Sequence, residues 1–274
     1  MSHTLAILTV VYQNYTTLKD FFDSLSKQTS KDFHVYIFDG SPEKEPIDLP
    51  PYAERIQGDN KGYANGIKTA YSAAKKKHDY FAVVNSDIIF DTHFVGNVIQ
   101  SLAKNQKSLV GGKIYYAPGY EYHETRYEPK DLGHVFWYAG GYIDWNNVLA
   151  IHRGVDCVDV DQFSTKENTG FITGCLMCYT KQTASILGTW DTKYIMYFED
   201  ADYCIRAKQK NIPLIYDPSI IIWHKNAQSS GGSGSRIQEK FMNRSRLLFG
   251  LRYAPLRTKV HLLKNEALRY LRLS

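Results

Sequence analysis

Long apolar runs are missing from this chain: none approaches the roughly 18–20 residues that a helix needs to cross a bilayer. Cysteine is scarce as well. The four residues, Cys157, Cys175, Cys178 and Cys204, include one C-x-x-C in "FITGCLMCYT". A zinc site would want a second such pair or nearby histidines, and a redox motif would open a helix after a strand. This pair lies inside an apolar segment and reads as buried free thiols. The opening "MSHTLAILTVVYQN" lacks the basic stretch and small-residue cleavage site of a signal peptide, and its short β-branched run reads as a buried strand. These absences predict a cytosolic protein.

What is present is a 274-residue chain, 43% hydrophobic and 14% aromatic, enough for one large domain with a full core, with or without an appendage. Its charge is unevenly spread. Residues 236–274 hold ten Lys or Arg against two Glu, a local charge of +8, while the first 235 residues hold 23 basic and 26 acidic groups. That asymmetry points to a phosphate-rich partner near the C-terminal segment: a nucleotide, a nucleic acid or an anionic membrane. No nucleic-acid recognition motif accompanies it.

Over the first 110 residues, "LAILTVVY", "FHVYIFDG", "ERIQGD" and "YFAVVNSDIIF" read as strands. Between them "TTLKDFFDSLSKQ" and "YANGIKTAYSAAKKK" carry apolar residues at helical spacing, as at Leu18, Phe21, Phe22 and Leu25. The alternation predicts an α/β fold with a mostly parallel central sheet and flanking helices. Ligands of such sheets bind beyond the carboxyl ends of the strands. The residues there are Tyr12, Asp39, Asp59 and Asn85 to Asp87. Residues 112–168 form an aromatic, turn-rich stretch read as an insertion over the sheet. "FITGCLMCYT" resumes the core, and "IPLIYDPSIIIWH" reads as a strand pair. The Gly/Ser tract "KNAQSSGGSGSR" reads as a loop that moves, and as a lid in the functional reading. The remainder is helical in pattern, broken by Pro255.

Several stretches carry chemistry. "VVNSDIIF" delivers Asp87 to the sheet edge, where a carboxylate suits a hard divalent cation and also suits a turn. Asp39 in "IFDGS" lies at the same edge, able to accept the imide N–H of uracil or thymine. "GDNKGYANGIKTAY" places Asn60, Gly62, Asn65 and Gly66 before a helix, a setting for a diphosphate, although it matches neither G-x-x-x-x-G-K-[ST] nor G-x-G-x-x-G. His224 follows a β-branched strand in "SIIIWHK"; a lone histidine suits a surface or satisfied core position, and a neutral imidazole near a site holding Asp87 also suits a metal. "YFEDADYCIR" sets Glu199, Asp200 and Asp202 at a helix start, as dipole-favoured residues or as a base.

As a set these residues resemble glycosyltransferase family 2 enzymes of the GT-A fold, especially bacterial rhamnosyl- and galactofuranosyl-type transferases of surface polysaccharide assembly. The resemblance rests on "LTVVYQN", "FDGS", "NKGYANG", "NSD" in place of Asp-x-Asp, "FITGCLM", "YFEDADYCIRAKQKN", "IIIWH" and "NRSRLLFGLRY", in that order over nearly the whole chain. It implies a Rossmann-like GT-A domain over residues 1–235, with a nucleotide-sugar half (1–111) and an acceptor and catalytic half (112–235), followed by basic amphipathic helices over 236–274. It implies Asp200 as general base with Glu199 beside it, and Mg²⁺ or Mn²⁺ on Asp87 and His224. The donor would meet Val11, Tyr12, Asp39, Asn60, Gly62, Asn65, Asn85, Ser86, Arg244 and Arg246, and the acceptor Thr173, Gly174 and Trp223. Two departures stand out: position 85 is Asn rather than Asp, and the usual Asp-Asn-Gly-Ser is shortened to "DGS".

The expected reaction is transfer of a sugar from a UDP- or dTDP-sugar to a saccharide hydroxyl, plausibly on an undecaprenyl-diphosphate-linked acceptor. The leaving diphosphate needs positive charge from a metal and nearby Arg or Lys. One base opposite the leaving group gives single displacement with inversion. A nucleotide-sugar or glycan-binding module without catalysis is the second reading, and a sugar nucleotidyltransferase the third. The retained Glu199–Asp200 pair argues against the former, and "VVYQNYTTLKD" lacks the phosphate loop of the latter. The C-terminal segment suits either a helix packed on its own domain or one lying on the inner face of the membrane.

Overall fold

Seven residues of "LAILTVV" are β-branched or aliphatic and almost all buried, which makes β1 (Leu5–Val11) a strand covered on both faces. The computed structural model describes residues 4–123, 126–225 and 236–271. Around β1 are built β2 (Phe33–Asp39), β3 (Ala53–Gln57) and β4 (Tyr80–Val84), with β2 and β4 parallel to β1 and β3 parallel to β2. Helices α1 (Leu18–Ser26) and α2 (Tyr63–Ala74) connect them, burying Leu18, Phe21 and Leu25 from the first and Ile67 and Ala70 from the second. Because the strands are parallel, Val11, Asp39 and Val84 finish at one sheet edge.

The chain then forms β5 (Ile88–Phe90), α3 (Phe94–Lys104), β6 (Leu109–Tyr116), β7 (Phe136–Tyr138), β8 (Gly141–Asp144), β9 (Leu149–His152), β10 (Glu167–Asn168) and β11 (Leu176–Thr180). After these come α4 (Lys181–Leu187), α5 (Glu199–Gln209), β12 (Leu214–His224), α6 (Arg236–Tyr253) and α7 (Leu256–Leu271). The main sheet runs β10-β12-β6-β11-β4-β1-β2-β3, with β5 on β12 and β7 on β6. Strand β11 is antiparallel to both neighbours, whereas β12 and β6 are parallel. The result is the expected mixed α/β architecture with a largely parallel core.

Three details differ from the sequence reading. Strand β6 begins at Leu109 and crosses position 111, so one sheet is continuous there. "IPLIYDPSIIIWH" forms one strand with a bulge between Asp217 and Ile221, not a strand pair. Pro218 cannot donate to the ladder, and a bulge absorbs it. The 112–168 stretch is only partly an insertion, since β6 and β7 belong to the main sheet and β8–β9 make a separate hairpin. The Gly/Ser tract expected to act as a lid falls within residues 226–235, outside the described residues.

Candidate active site

The register of the sheet edge brings together residues far apart in sequence. Ile88 of β5 pairs with His224 of β12, and the Lys225 amide donates to the Asp87 carbonyl at 2.9 Å. Residue 87 is thereby fixed beside residue 224. His224 Nε2 lies 3.2 Å from Asp87 Oδ1 and 3.4 Å from the Asn85 side-chain nitrogen, and Asp87 and His224 are both buried. Two ligands at adjacent corners around an ion with bonds of about 2.1–2.2 Å stand about 3 Å apart, so this carboxylate–imidazole pair fits one divalent cation. Among the described residues no cluster of three His, Cys, Asp or Glu side chains forms a fuller cage. Such a two-ligand site leaves coordination positions for phosphate oxygens and water.

Tyr63 opens α2 directly after Gly62, whose φ of 96° and close approach to the Ile195 backbone suit only a residue without Cβ. The Tyr63 amide donates to the Ile195 carbonyl at 2.8 Å. Its hydroxyl donates to Asn85 Oδ1 at 3.3 Å and to the Gly174 carbonyl at 3.2 Å. Gly174 in turn donates its N–H to Asp200 Oδ2 at 2.8 Å. One chain of contacts thus joins the metal-competent pair to the acidic start of α5.

That helix begins from strained backbone. Tyr197 and Phe198 both adopt left-handed conformations, with φ of 68° and 65°, which non-glycine residues rarely enter. Glu199 is buried, and its Oε2 has no hydrogen-bond partner among the described residues. Burial, then the neighbouring Asp200 charge, pushes the Glu199 carboxyl well above its usual range. Burial also raises Asp200, but backbone N–H groups of Gly174 and Ala201 oppose it. Of the two, Asp200 is the carboxylate with backbone N–H donors to support it as an anion. Tyr63 and Cys175 record the same field, both raised first by burial and then by the carboxylates nearby, Asp87 and Asp200 among them.

At the far end of the edge, Asp39 is fully buried. Its Oδ1 accepts the Ser41 N–H at 2.9 Å, and its Oδ2 accepts the Tyr15 hydroxyl at 2.9 Å together with Arg55. Burial alone would raise this carboxyl, but these donors outweigh it and hold Asp39 below the ordinary range. The Ser41 side chain is a further donor, so the buried carboxylate is held by Ser41, Tyr15 and Arg55 together. Nothing in the sequence reading pointed to Tyr15 or Arg55.

The other expected residues are placed as follows. Val11 is buried, and its carbonyl accepts the Gly40 N–H at 3.0 Å, whereas Tyr12 is 42% exposed. Asn60 Oδ1 accepts the Gly62 N–H at 3.0 Å, bending the chain into α2, where Asn65 is half-buried. Ser86 and Thr173 are buried, and Thr173 accepts the Cys175 N–H at 3.3 Å. Arg244 is exposed on α6, while Arg246 is half-buried with an Nε that has no hydrogen-bond partner among the described residues. Trp223 stands apart from this group. It alternates with His224 along β12 and turns to the other face, where its Nε1 donates to the Gly133 carbonyl at 2.8 Å. The aromatic side chain beside His224 is Trp137 of β7, with ring centres 4.6 Å apart. Its position in an aromatic-rich run gave no sign of this.

Asp202 has a role the sequence did not show. Its buried carboxylate accepts Arg206 Nε at 2.7 Å, Arg252 Nη1 at 2.9 Å and the Tyr253 hydroxyl at 2.7 Å. It ties α5 to α6 rather than merely decorating a helix start.

A largely parallel sheet that gathers Asp87, His224 and the start of α5 at one edge has the GT-A architecture. Residues 6–160, more than half of the chain, match the sequence profile of glycosyl transferase family 2, and the chain belongs to that family. No curated protein matches the sequence. Among solved structures, GalNAc-T7 with UDP, GalNAc and Mn²⁺ superposes with a TM-score of 0.61 at 13% identity, over 81% of this chain and 43% of that one. This chain therefore spans less than half of that structure. The mannosyltransferase PcManGT from Pyrobaculum calidifontis, in complex with GDP-Man and Mn²⁺, superposes with a TM-score of 0.55 at 11% identity, over 97% and 70%. At such identities the likeness is one of fold.

Proposed function

We propose that this glycosyltransferase moves a sugar, with inversion, from a UDP- or dTDP-sugar to a hydroxyl of a saccharide acceptor. In this reading the acceptor is a lipid-linked glycan of bacterial surface polysaccharide assembly, of the rhamnosyl- or galactofuranosyl-transfer type. The observation that carries it is the contact chain from Asp87 and His224 through Asn85, Tyr63 and Gly174 to Asp200. It links the buried Asp87–His224 pair to the carboxylate read here as the base.

Asp87 and His224 would hold Mn²⁺ or Mg²⁺, and the ion supplies Lewis-acid stabilisation of the departing diphosphate. Arg246, with its unsatisfied Nε, adds charge for the same oxygens. Asp39, at the end of β2, is the group assigned to the nucleotide base. Asp200 takes the proton of the attacking acceptor hydroxyl, since its carboxylate lies at the mouth of α5 with two N–H groups stabilising it. Glu199 stands beside it as a partner that positions the acceptor hydroxyl. Asn85 acts as a positioning residue: Tyr63 orients its amide, and the amide nitrogen faces His224. A retaining route would need a separate nucleophile, and we assign none among the described residues, which favours single displacement.

A panel of UDP-, dTDP- and GDP-sugars tests this, scored for thermal stabilisation and donor turnover with Mn²⁺. Stabilisation and turnover with a UDP- or dTDP-sugar are expected. Response to GDP-sugars alone would overturn the base assignment, and response to none would overturn the donor class.

A further inference from the structure

We propose that the outward face of α7 is a seat for an anionic lipid surface, held by α6 on the acceptor side of the active site. The seat deepens the lipid-linked acceptor reading above, yet it stands on its own surface chemistry. Thr258 and Leu262 of α7 face inward, and Leu262 packs against Gly250 of α6. Leu256, Val260 and Leu263, spaced i, i+4, i+7, form a stripe on the opposite side. They are 78%, 60% and 52% exposed, high values for large aliphatic side chains. By helical position Arg257 and Lys264 flank the stripe on one side and Lys259 on the other, while Glu266 is the single acid of the helix. An apolar stripe between cations is the pattern of a helix lying in a membrane interface.

Charge selects this occupant over the others. A second copy docking on the same stripe about a two-fold axis would set Arg257 and Lys264 against their own counterparts. A nucleic acid would use the cations and leave three aliphatic side chains in water. A bilayer of anionic headgroups and acyl chains satisfies both features.

Helix α6 transmits this seat to the catalytic segment. Phe249 stacks on Trp145 with ring centres 5.7 Å apart and touches Phe198 at 5.2 Å. Ser245 Oγ donates to the Met196 carbonyl at 2.8 Å, and Arg252 and Tyr253 both hold Asp202. These contacts bracket Glu199 and Asp200. An acceptor anchored in the bilayer would therefore be presented to the side of the cleft where the base stands.

Vesicle flotation of the full chain reads the seat without reference to catalysis. Two compositions are compared: phosphatidylglycerol with phosphatidylcholine in equal parts, and phosphatidylcholine alone. The wild type is expected to float with the anionic vesicles. The combined Leu256→Ser, Val260→Ser, Leu263→Ser variant should lose about tenfold or more in partitioning, and Arg257→Gln with Lys264→Gln several-fold, with unchanged circular dichroism. Donor hydrolysis in both variants should equal wild type, because none of these residues belongs to the site. Equal partitioning of wild type and the apolar variant overturns the seat. So does a wild-type dimer that stays with the soluble fraction and dissociates in that variant, which would give the stripe to a second copy. Flotation without turnover of any nucleotide sugar leaves the seat standing and removes the transferase reading instead.

Discussion

His224 Nε2 stands 3.2 Å from Asp87 Oδ1, and both side chains are buried. Strand pairing, not proximity in sequence, creates this relationship: Ile88 lies opposite His224, and the bulge after Asp217 sets the register of the last turn of β12. A carboxylate and an imidazole so placed are costly without a cation between them or a proton shared across them.

Asp87→Ala and His224→Ala are each expected to weaken Mn²⁺-dependent nucleotide binding by more than the 10–100-fold typical of outer-shell changes. Calorimetric titration of UDP or dTDP with and without Mn²⁺ checks this. An unchanged Mn²⁺ dependence in both variants would remove the pair from metal binding.

The Glu199 and Asp200 carboxyls share a buried cleft that raises both. A base with a raised pKa loses its active, deprotonated form at higher pH than an ordinary carboxylate. The acid limb of kcat/KM should therefore lie above the usual carboxylate range, and Glu199→Gln should leave it in place, since burial rather than Glu199 raises Asp200. Stability follows the same sign. A folded-state pKa above the unfolded one favours folding at low pH and costs stability as pH rises past the unfolded value. Glu199→Gln should raise Tm near neutral pH, with the gain fading toward pH ~4.

Asp202 is buried with three donors on it. Asp202→Ala leaves Arg206 and Arg252 without their shared partner and is expected to cost about 3–5 kcal/mol. For a chain of this size that lowers Tm by about 2–4 °C per kcal/mol. Arg252→Ala should cost less, since that side chain is 40% exposed. Chemical denaturation of both variants gives the comparison.

Gly62 must keep its positive φ where the chain passes the Ile195 backbone. Gly62→Ala is expected to lose at least about 1–3 kcal/mol and to weaken donor binding, because Tyr63 starts from that turn. Matched measurements of Tm and nucleotide affinity test both effects.

Much of the donor half was legible because period-2 and helical patterns alternate cleanly there, and the polar residues closing β1, β2 and β4 fall at one edge. Asp87 and His224 were legible as separate candidates, but their contact was not, since it depends on how β5 pairs with β12. The separate placing of Trp223 and His224 was not legible, because a strand turns adjacent residues to opposite faces and only the register shows which takes the inner one. Asp202 looked like a dipole-favoured helix residue, and its true partners lie some fifty positions away on α6. Tyr197 and Phe198 gave no glycine to mark their left-handed turn. That turn needs tertiary packing, including Phe249 on Phe198, to hold it.

The most direct test of sugar transfer by this site is nucleoside diphosphate release from UDP- and dTDP-sugars with Mn²⁺, measured for wild type and Asp200→Asn side by side. Release by wild type, slowed by about 10²–10⁴ in Asp200→Asn at unchanged nucleotide affinity, is the expected result. Equal rates in the two proteins would contradict Asp200 as the base, and no release from either donor class would contradict the transfer itself.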